Sequence, residues 1–306
     1  MNFGNIFIQV AVLFILILVG YMIRKKGLLD EHCTSMISSL VMSIFLPSMI
    51  ISSMQIEYNP NMAKKIFMLI LISIFTYSVS ILFSYFLKFI FKSEKNLGVY
   101  QYAIIFSNVA FMGYPVIEAV LGKEAIFYTA IFNLPFNVLA YTVGTYLLCK
   151  GNEEYSFSLK SLVSPIILSI FIGLILFVFN IRLPEFLNKP IELLGSVTTP
   201  ISMLVIGSLL ANSSALECFS NKKLYFTSFL RLIFLPILVY LILRLKVSDP
   251  LLLAIPVVIT AMPTAANAAI MANEYGADTT LASQIVFFTT LLSVATIPFI
   301  CIVLFG

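Results

Sequence analysis

Ten runs of apolar residues follow one another along the chain, joined by short polar connections. Each is close to the ~20 residues that a helix needs to cross a hydrocarbon layer ~30 Å thick. They cover roughly 5–23, 34–54, 66–91, 99–120, 125–149, 163–180, 190–211, 223–245, 250–273 and 279–305. The pattern predicts ten transmembrane helices. The seventh run is the least regular, because Pro190 and Pro200 interrupt it.

Composition strengthens that reading. Of 306 residues, 60% are hydrophobic and 10% are charged, and the mean hydropathy is +1.05. No soluble core needs that much apolar surface, so the chain reads as an all-α, polytopic integral membrane protein. The net charge of +4 is small and sits in the connections, which argues against nucleic acid as a partner. The connection at about 150–162 is too short for a soluble catalytic or sensor domain. Cys33, Cys149, Cys218 and Cys301 form no C-x-x-C pair, and His32 is the one histidine. No metal site and no cofactor is expected from them; the cysteines read as small apolar residues near helix ends. The first run has no basic leader and no small-residue cleavage site after it, so it reads as a retained span.

An even number of spans puts both termini on one side. Arg24, Lys25 and Lys26 place the loop after span 1 inside, and both termini outside, the cytoplasmic (inner) membrane. On that assignment the inside loops hold ten Lys and Arg and the outside loops seven.

The two halves echo each other. LVMSIFLP at 40–47 and LLGSVTTP at 193–200 each end in a mid-span proline, at an offset of 153, half the chain length. LGKEA at 121–125 and YGADT at 275–279 each close one span and open the next. These echoes predict two repeats of five spans, 1–155 and 156–306. Because five is odd, the second must be inverted relative to the first, an arrangement found in secondary transporters.

The fourth run contains SNVAFMGYPV at 107–116, which places an Asn, a Gly and a Pro where a spanning helix would favour Leu. Pro115 removes a backbone donor and crowds the preceding turn, and Gly113 permits close backbone approach. A helix opening near 111–115 is expected. The ninth run, ITAMPTAANAAIMANEYGAD at 259–278, carries Pro263 and Asn267 among small residues. Opened backbone at membrane depth survives only inside protein or along a cavity, so the two broken helices are expected to cross near the bilayer centre. Half-helix ends there would present free N–H groups suited to an anion such as a carboxylate. Asn108 and Asn267 could add amide donors.

At these residues the sequence resembles the auxin efflux carrier family. The matching pattern is N-x-x-x-M-G-x-P, carried by Asn108, Met112, Gly113 and Pro115. A second match is A-M-P at 261–263 with A-N-E-Y at 272–275, leading into FFTTLLSVATIP at 287–298. The resemblance implies a fold similar to bile-acid/sodium symporters. Broken helices 4 and 9 would cross at the substrate site, and spans 1, 2, 6 and 7 would form a scaffold panel. It implies that Pro115 and Pro263 are the crossover prolines, with Tyr114 between Gly113 and Pro115, and that Asn108 contacts substrate. Members are often dimers, which makes a homodimer an expectation. The connection at 150–162 is short, as in bacterial permeases for malate, malonate and similar acids, and points away from auxin.

Other polar residues lie within the spans. Asn133 and Asn137 share one helix face, where they could line a path or bond a neighbouring helix. Gln284, Thr289, Thr290, Ser293 and Thr296 lie in span 10; Thr289, Ser293 and Thr296 form one stripe, suited to helix packing through hydroxyls, with Ser293 also a candidate for coupling or gating. Arg231 stands eight residues past Lys223, ~12 Å deep at ~1.5 Å per residue. It must face protein, water or the near interface, in a structural, gating or anion-attracting role. Glu118, a turn beyond Pro115, could carry a coupling proton if burial raised its pKa. Glu274 and Asp278 flank the end of span 9.

The function this predicts is a secondary transporter, or permease, for mono- or dicarboxylates, working by alternating access in the lipid bilayer. A sodium-coupled organic-anion symporter is the alternative within transport, because broken-helix carbonyls can ligate sodium. A non-transporting membrane receptor is the alternative outside it, and would need no inverted repeat. An intramembrane enzyme would need a nucleophile–base pair or paired acids at depth, and no such pair is present. A channel would show a continuous polar stripe, which is not found.

Overall fold

A computed structural model of the chain describes residues 3–56, 59–92, 94–149, 164–212 and 217–305. The repeat boundary expected near residue 155 lies outside them. Among the described residues the fold is built from helices alone: α1 (Phe3–Lys25), α2 (Glu31–Ser53), α3 (Pro60–Ile90), α4 (Leu97–Ile105), α5 (Val109–Leu121), α6 (Glu124–Leu148), α7 (Pro165–Val178), α8 (Glu185–Ser196), α9 (Thr198–Asn212), α10 (Lys222–Arg244), α11 (Pro250–Thr260), α12 (Ala268–Glu274) and α13 (Thr279–Phe305). Among the described residues seven continuous apolar stretches are long enough to cross a membrane, α8 and α9 counting as one; α5, α7 and α11 are apolar but shorter. The fourth expected span is divided between α4 and α5, and the ninth between α11 and α12. The seventh turns at Val197, between α8 and α9, and Pro190 is held inside α8. Side chains such as Ile15, Leu18, Phe67, Leu82, Phe171 and Ile175 are exposed, a surface suited to lipid and costly in water.

Prolines set the local geometry. Proline has no N–H and crowds the carbonyl four residues earlier. Val41–Phe45, Val109–Gly113 and Leu230–Phe234 form wide π-type turns, each ending two residues before a proline: Pro47, Pro115 and Pro236. In each, the next N–H (Leu46, Tyr114, Leu235) reaches back five residues, to Val41, Val109 or Leu230. The wide turn absorbs the proline without ending the helix. This corrects the expected opening at 111–115: that stretch is a wide turn, and the chain opens just before it, at Phe106–Asn108.

The helices pack in two groups. One holds α1, α2, α7, α8 and α9; the other holds α3, α4, α10, α11, α12 and α13, with α5 and α6 packed on it. Within the first group α1 and α9 meet backbone to backbone. A Cβ added at Gly207 would lie 2.0 Å from the Ile17 carbonyl oxygen, and one at Gly20 would lie 2.3 Å from that of Leu204. Small residues allow such approaches, and in lipid this packing is what holds helices together. The groups touch where α9 and α1 meet α5 and α13, and where α2 meets α6.

Gly207→Val is expected to force α1 and α9 apart at a cost of at least about 1–3 kcal/mol, the usual range for overpacking. The measurement is the melting temperature of the detergent-solubilised protein. An unchanged value would mean that the two helices are not locked by this contact.

Candidate substrate site at the paired helix breaks

Two broken helices leave carbonyls and N–H groups without helical partners, and hydrocarbon supplies none. Here the breaks satisfy each other. The Asn108 N–H donates to the Pro263 carbonyl at 2.8 Å and the Ala265 N–H to the Phe106 carbonyl at 3.0 Å, so Ser107 and Thr264 face each other in a short antiparallel bridge. Pro263 suits its place, because its carbonyl is used and it has no N–H to satisfy. Thr264 adds two bonds: its hydroxyl donates to the Ala103 carbonyl at 3.3 Å, and its N–H donates to the Thr289 hydroxyl of α13 at 3.2 Å. All of these groups are buried.

Two more of the freed carbonyls are taken by Arg231. Its side chain is 1% exposed. Nε donates to the Met262 carbonyl at 3.1 Å, Nη1 donates to the Ile104 carbonyl at 2.7 Å, and Nη2 donates to the Ser107 hydroxyl. Among the described residues no carboxylate reaches it; the three ion pairs present lie elsewhere. Instead the guanidinium stands at the C-terminal ends of α4 and α11. Each end carries roughly half a negative charge, so together they match about one positive charge in place. Of the roles open to Arg231 at sequence level, this favours the structural one over attraction of a distant anion.

Asn108 starts α5. Its Oδ1 accepts from the Phe111 N–H at 3.3 Å, which makes it a cap. Its Nδ2 is buried and has no partner. Gly113 lies against α11, where an added Cβ would come within 2.9 Å of the Ile259 side chain. Tyr114 and Pro115 are buried in the next turn, the Tyr114 hydroxyl beside Asn133. Pro135 breaks α6, and the freed Phe132 carbonyl accepts from Ser73 of α3 at 2.6 Å. Asn137 donates through Nδ2 to the Asn133 carbonyl at 3.3 Å, so its amide serves its own helix. Asn267 precedes α12, half-buried, and makes no capping bond with its side chain. Glu118 accepts from the Thr199 hydroxyl of α9 at 2.6 Å, across the contact between the two groups. Ser293 donates back to the Thr290 carbonyl of its own helix at 2.6 Å; Thr289, one turn earlier, is the α13 side chain that touches the breaks.

Sequence reasoning passed over Ser107, Thr264, Thr198, Thr199 and Ser202. Thr198 and Ser202 are fully buried on α9, which packs on the first turns of α5, and neither hydroxyl has a partner. The signal available was TTPIS at 198–202, next to the proline that the internal echo pairs with Pro47.

At one end of the second group lies a cavity of about 300 Å³ lined by Glu94, Asn96, Tyr100, Asn221, Lys223 and Asp278, among others. Lys223 pairs with Glu94 and also lies over the Phe91 ring. Asn96 donates to Asp278 at 2.7 Å and Asn221 to the Tyr100 hydroxyl at 3.3 Å. The hydrogen bond from Lys223 holds the Glu94 carboxyl below the usual carboxylate range despite partial burial.

A family model described as "Membrane transport protein" matches the chain twice, over residues 5–158 and 152–301. An uncharacterized transporter of Methanocaldococcus jannaschii is 27% identical, covering 94% of this chain and 95% of that protein. An uncharacterized transporter of Methanothermobacter thermautotrophicus is 26% identical, covering 95% of each. A Rhizobium meliloti protein named "Putative malonate transporter" is 27% identical over 64% of this chain and 63% of its own length.

The Glu94–Lys223 pair has a defined pH window. A carboxyl held low in the fold stabilises it above its unfolded value, near 4.5, and that contribution is lost as pH falls through the lower folded value. Glu94→Gln is therefore expected to lower the melting temperature equally at about pH 6 and pH 8, the deficit shrinking below about pH 4. A deficit that changed between the two higher values would contradict the pairing.

Proposed function

Because the chain belongs to the membrane transport protein family, and is therefore a multi-pass membrane transporter and not an enzyme, we propose that it carries small organic anions, mono- or dicarboxylates, by alternating access at the paired breaks. The observation that carries the reading is the Asn108 amide. It lies buried at the crossing with a free donor, at the head of a helix whose N–H groups and dipole favour negative charge. A buried donor without a partner is costly unless a ligand completes it. The unpartnered Thr198 and Ser202 hydroxyls, on the helix facing the same turns, can donate to a second carboxylate oxygen. Malonate, the substrate in the name of the Rhizobium meliloti relative, is a dicarboxylate and agrees with this chemistry.

The architecture in this reading is ten spans in two inverted repeats, 1–155 and 156–306, with α4–α5 and α11–α12 as the crossing pair. Gly122 and Gly276, 154 residues apart, both take positive φ (87° and 70°) just beyond the ends of α5 and α12. The family model also matches once on each half. The group holding α1, α2, α7, α8 and α9 would be the static scaffold, and the group holding the crossing would move against it. Glu118 and Thr199 bond across that sliding contact, which makes Glu118 the acid best placed to couple a proton. Both termini would face outward from the cytoplasmic membrane.

Asn108→Ser keeps an oxygen that can cap α5 and removes the amide. The variant is expected to insert and melt within about 1 kcal/mol of the parent while uptake and counterflow fall to background. Asn108→Ala is expected to lose transport equally and some stability as well. Normal transport by Asn108→Ser would remove the amide from the site. Malonate, malate and monocarboxylates should be screened by melting temperature, since a ligand at ~100 times its Kd adds about 2.7 kcal/mol by mass action. Stabilisation by none of them would overturn the carboxylate assignment.

A further inference from the structure

The place held by Arg231 is, by its chemistry, a site for a monovalent cation. Two helix C-termini converge there, at Ile104 and Met262, with the Ser107 hydroxyl beside them. The adjoining crevice is lined by Thr76, Tyr77, Ser80 and Thr260, and the Tyr77 hydroxyl has no partner. All these oxygens are neutral. A divalent ion seeks carboxylates, whereas carbonyl and hydroxyl oxygens alone suit sodium, potassium or a guanidinium. The converging carbonyls repel each other unless a positive charge lies between them.

We propose that Arg231 is a tethered, resident cation. Its guanidinium fills the site that a free sodium or potassium ion would otherwise have to occupy for the crossing to close, so the protein holds its crossing together and completes its cycle without a bound metal cation. The consequence for uptake rests on the carrier reading above; the cation site itself does not. The charge enters on α10, which packs on α4 and α11, and its π-type turn at Leu230–Phe234 places Arg231 where Met262, Ile104 and Ser107 can all be reached.

The first test needs no substrate. Melting temperatures of the purified wild type, Arg231→Ala, Arg231→Lys and Arg231→Gln are measured in sodium, potassium and choline chloride at equal ionic strength, with and without about 20 mM guanidinium, far below denaturing concentrations. The wild type is expected to melt at the same temperature in all three salts. Arg231→Ala is expected to melt lower and to regain at least about half of the loss with guanidinium or sodium, but not with choline. If Arg231→Ala does not fold, the comparison passes to the other two: Lys, which keeps the charge, is expected to melt above Gln, which keeps the hydrogen-bond donors alone. Sodium-specific stabilisation of the wild type would overturn the proposal, as would a folded Arg231→Ala that no cation rescues, or Lys and Gln variants of equal stability. The second test is carboxylate uptake into vesicles with sodium replaced by choline, expected to change by less than about twofold. A tenfold loss would overturn sodium independence. Absence of uptake in either medium would count against the anion-carrier reading and leave the melting result standing.

Discussion

The structure depends on one constraint: a polar backbone group placed in hydrocarbon must find a partner within the protein. Two helices are interrupted near their middles, and each interruption frees several carbonyls and N–H groups. The breaks at Phe106–Asn108 and Met262–Ala265 supply one another with two hydrogen bonds. Thr264, Thr289 and Arg231 take up the Ala103, Ile104 and Met262 carbonyls and the Thr264 N–H. Remove any one of these and an unpaired group is left buried, at several kcal/mol in hydrocarbon. The crossing is therefore a single cooperative unit, in which the breaks after α4 and α11 hold each other through main-chain atoms and α10 and α13 join them through the Arg231 and Thr289 side chains.

Around that unit the packing divides according to how closely backbones approach. Glycines at 20 and 207 press α1 and α9 together, and Gly195 does the same for α8 against α2 at Met49. The contact between the groups is of another kind. It carries the Glu118–Thr199 bond and the unpaired hydroxyls of Thr198 and Ser202. The Glu118–Thr199 contact joins the groups through side chains, whereas α1 and α9 meet backbone to backbone. The wide turns ahead of Pro47, Pro115 and Pro236 let helices bend at those points while keeping their hydrogen bonds.

Charge follows the same economy. Arg231 has no acid beside it among the described residues, yet the two helix ends that it caps match its charge in place. The Asn108 amide at the crossing has a free donor, immediately before the wide turn that precedes Pro115.

Much of this was legible in the sequence. The apolar runs show where helices lie, and Pro115, Pro263, Gly113 and Asn108 mark which two are interrupted. Their depth required Arg231 to have partners. What the sequence could not decide was who those partners are. Arg231 bonds Ile104 and Met262, residues 127 and 31 positions away. Thr289, not Ser293, meets the break, because Ser293 lies one turn farther along the same face of α13. Asn137 serves its own helix, and the opening falls at 106–108, not 111–115, since a wide turn absorbs Pro115. Hydropathy, proline and glycine act over four or five residues, so one chain segment is enough to read them. The partner of a freed backbone group is chosen by how distant helices pack, and that exists only in the folded protein.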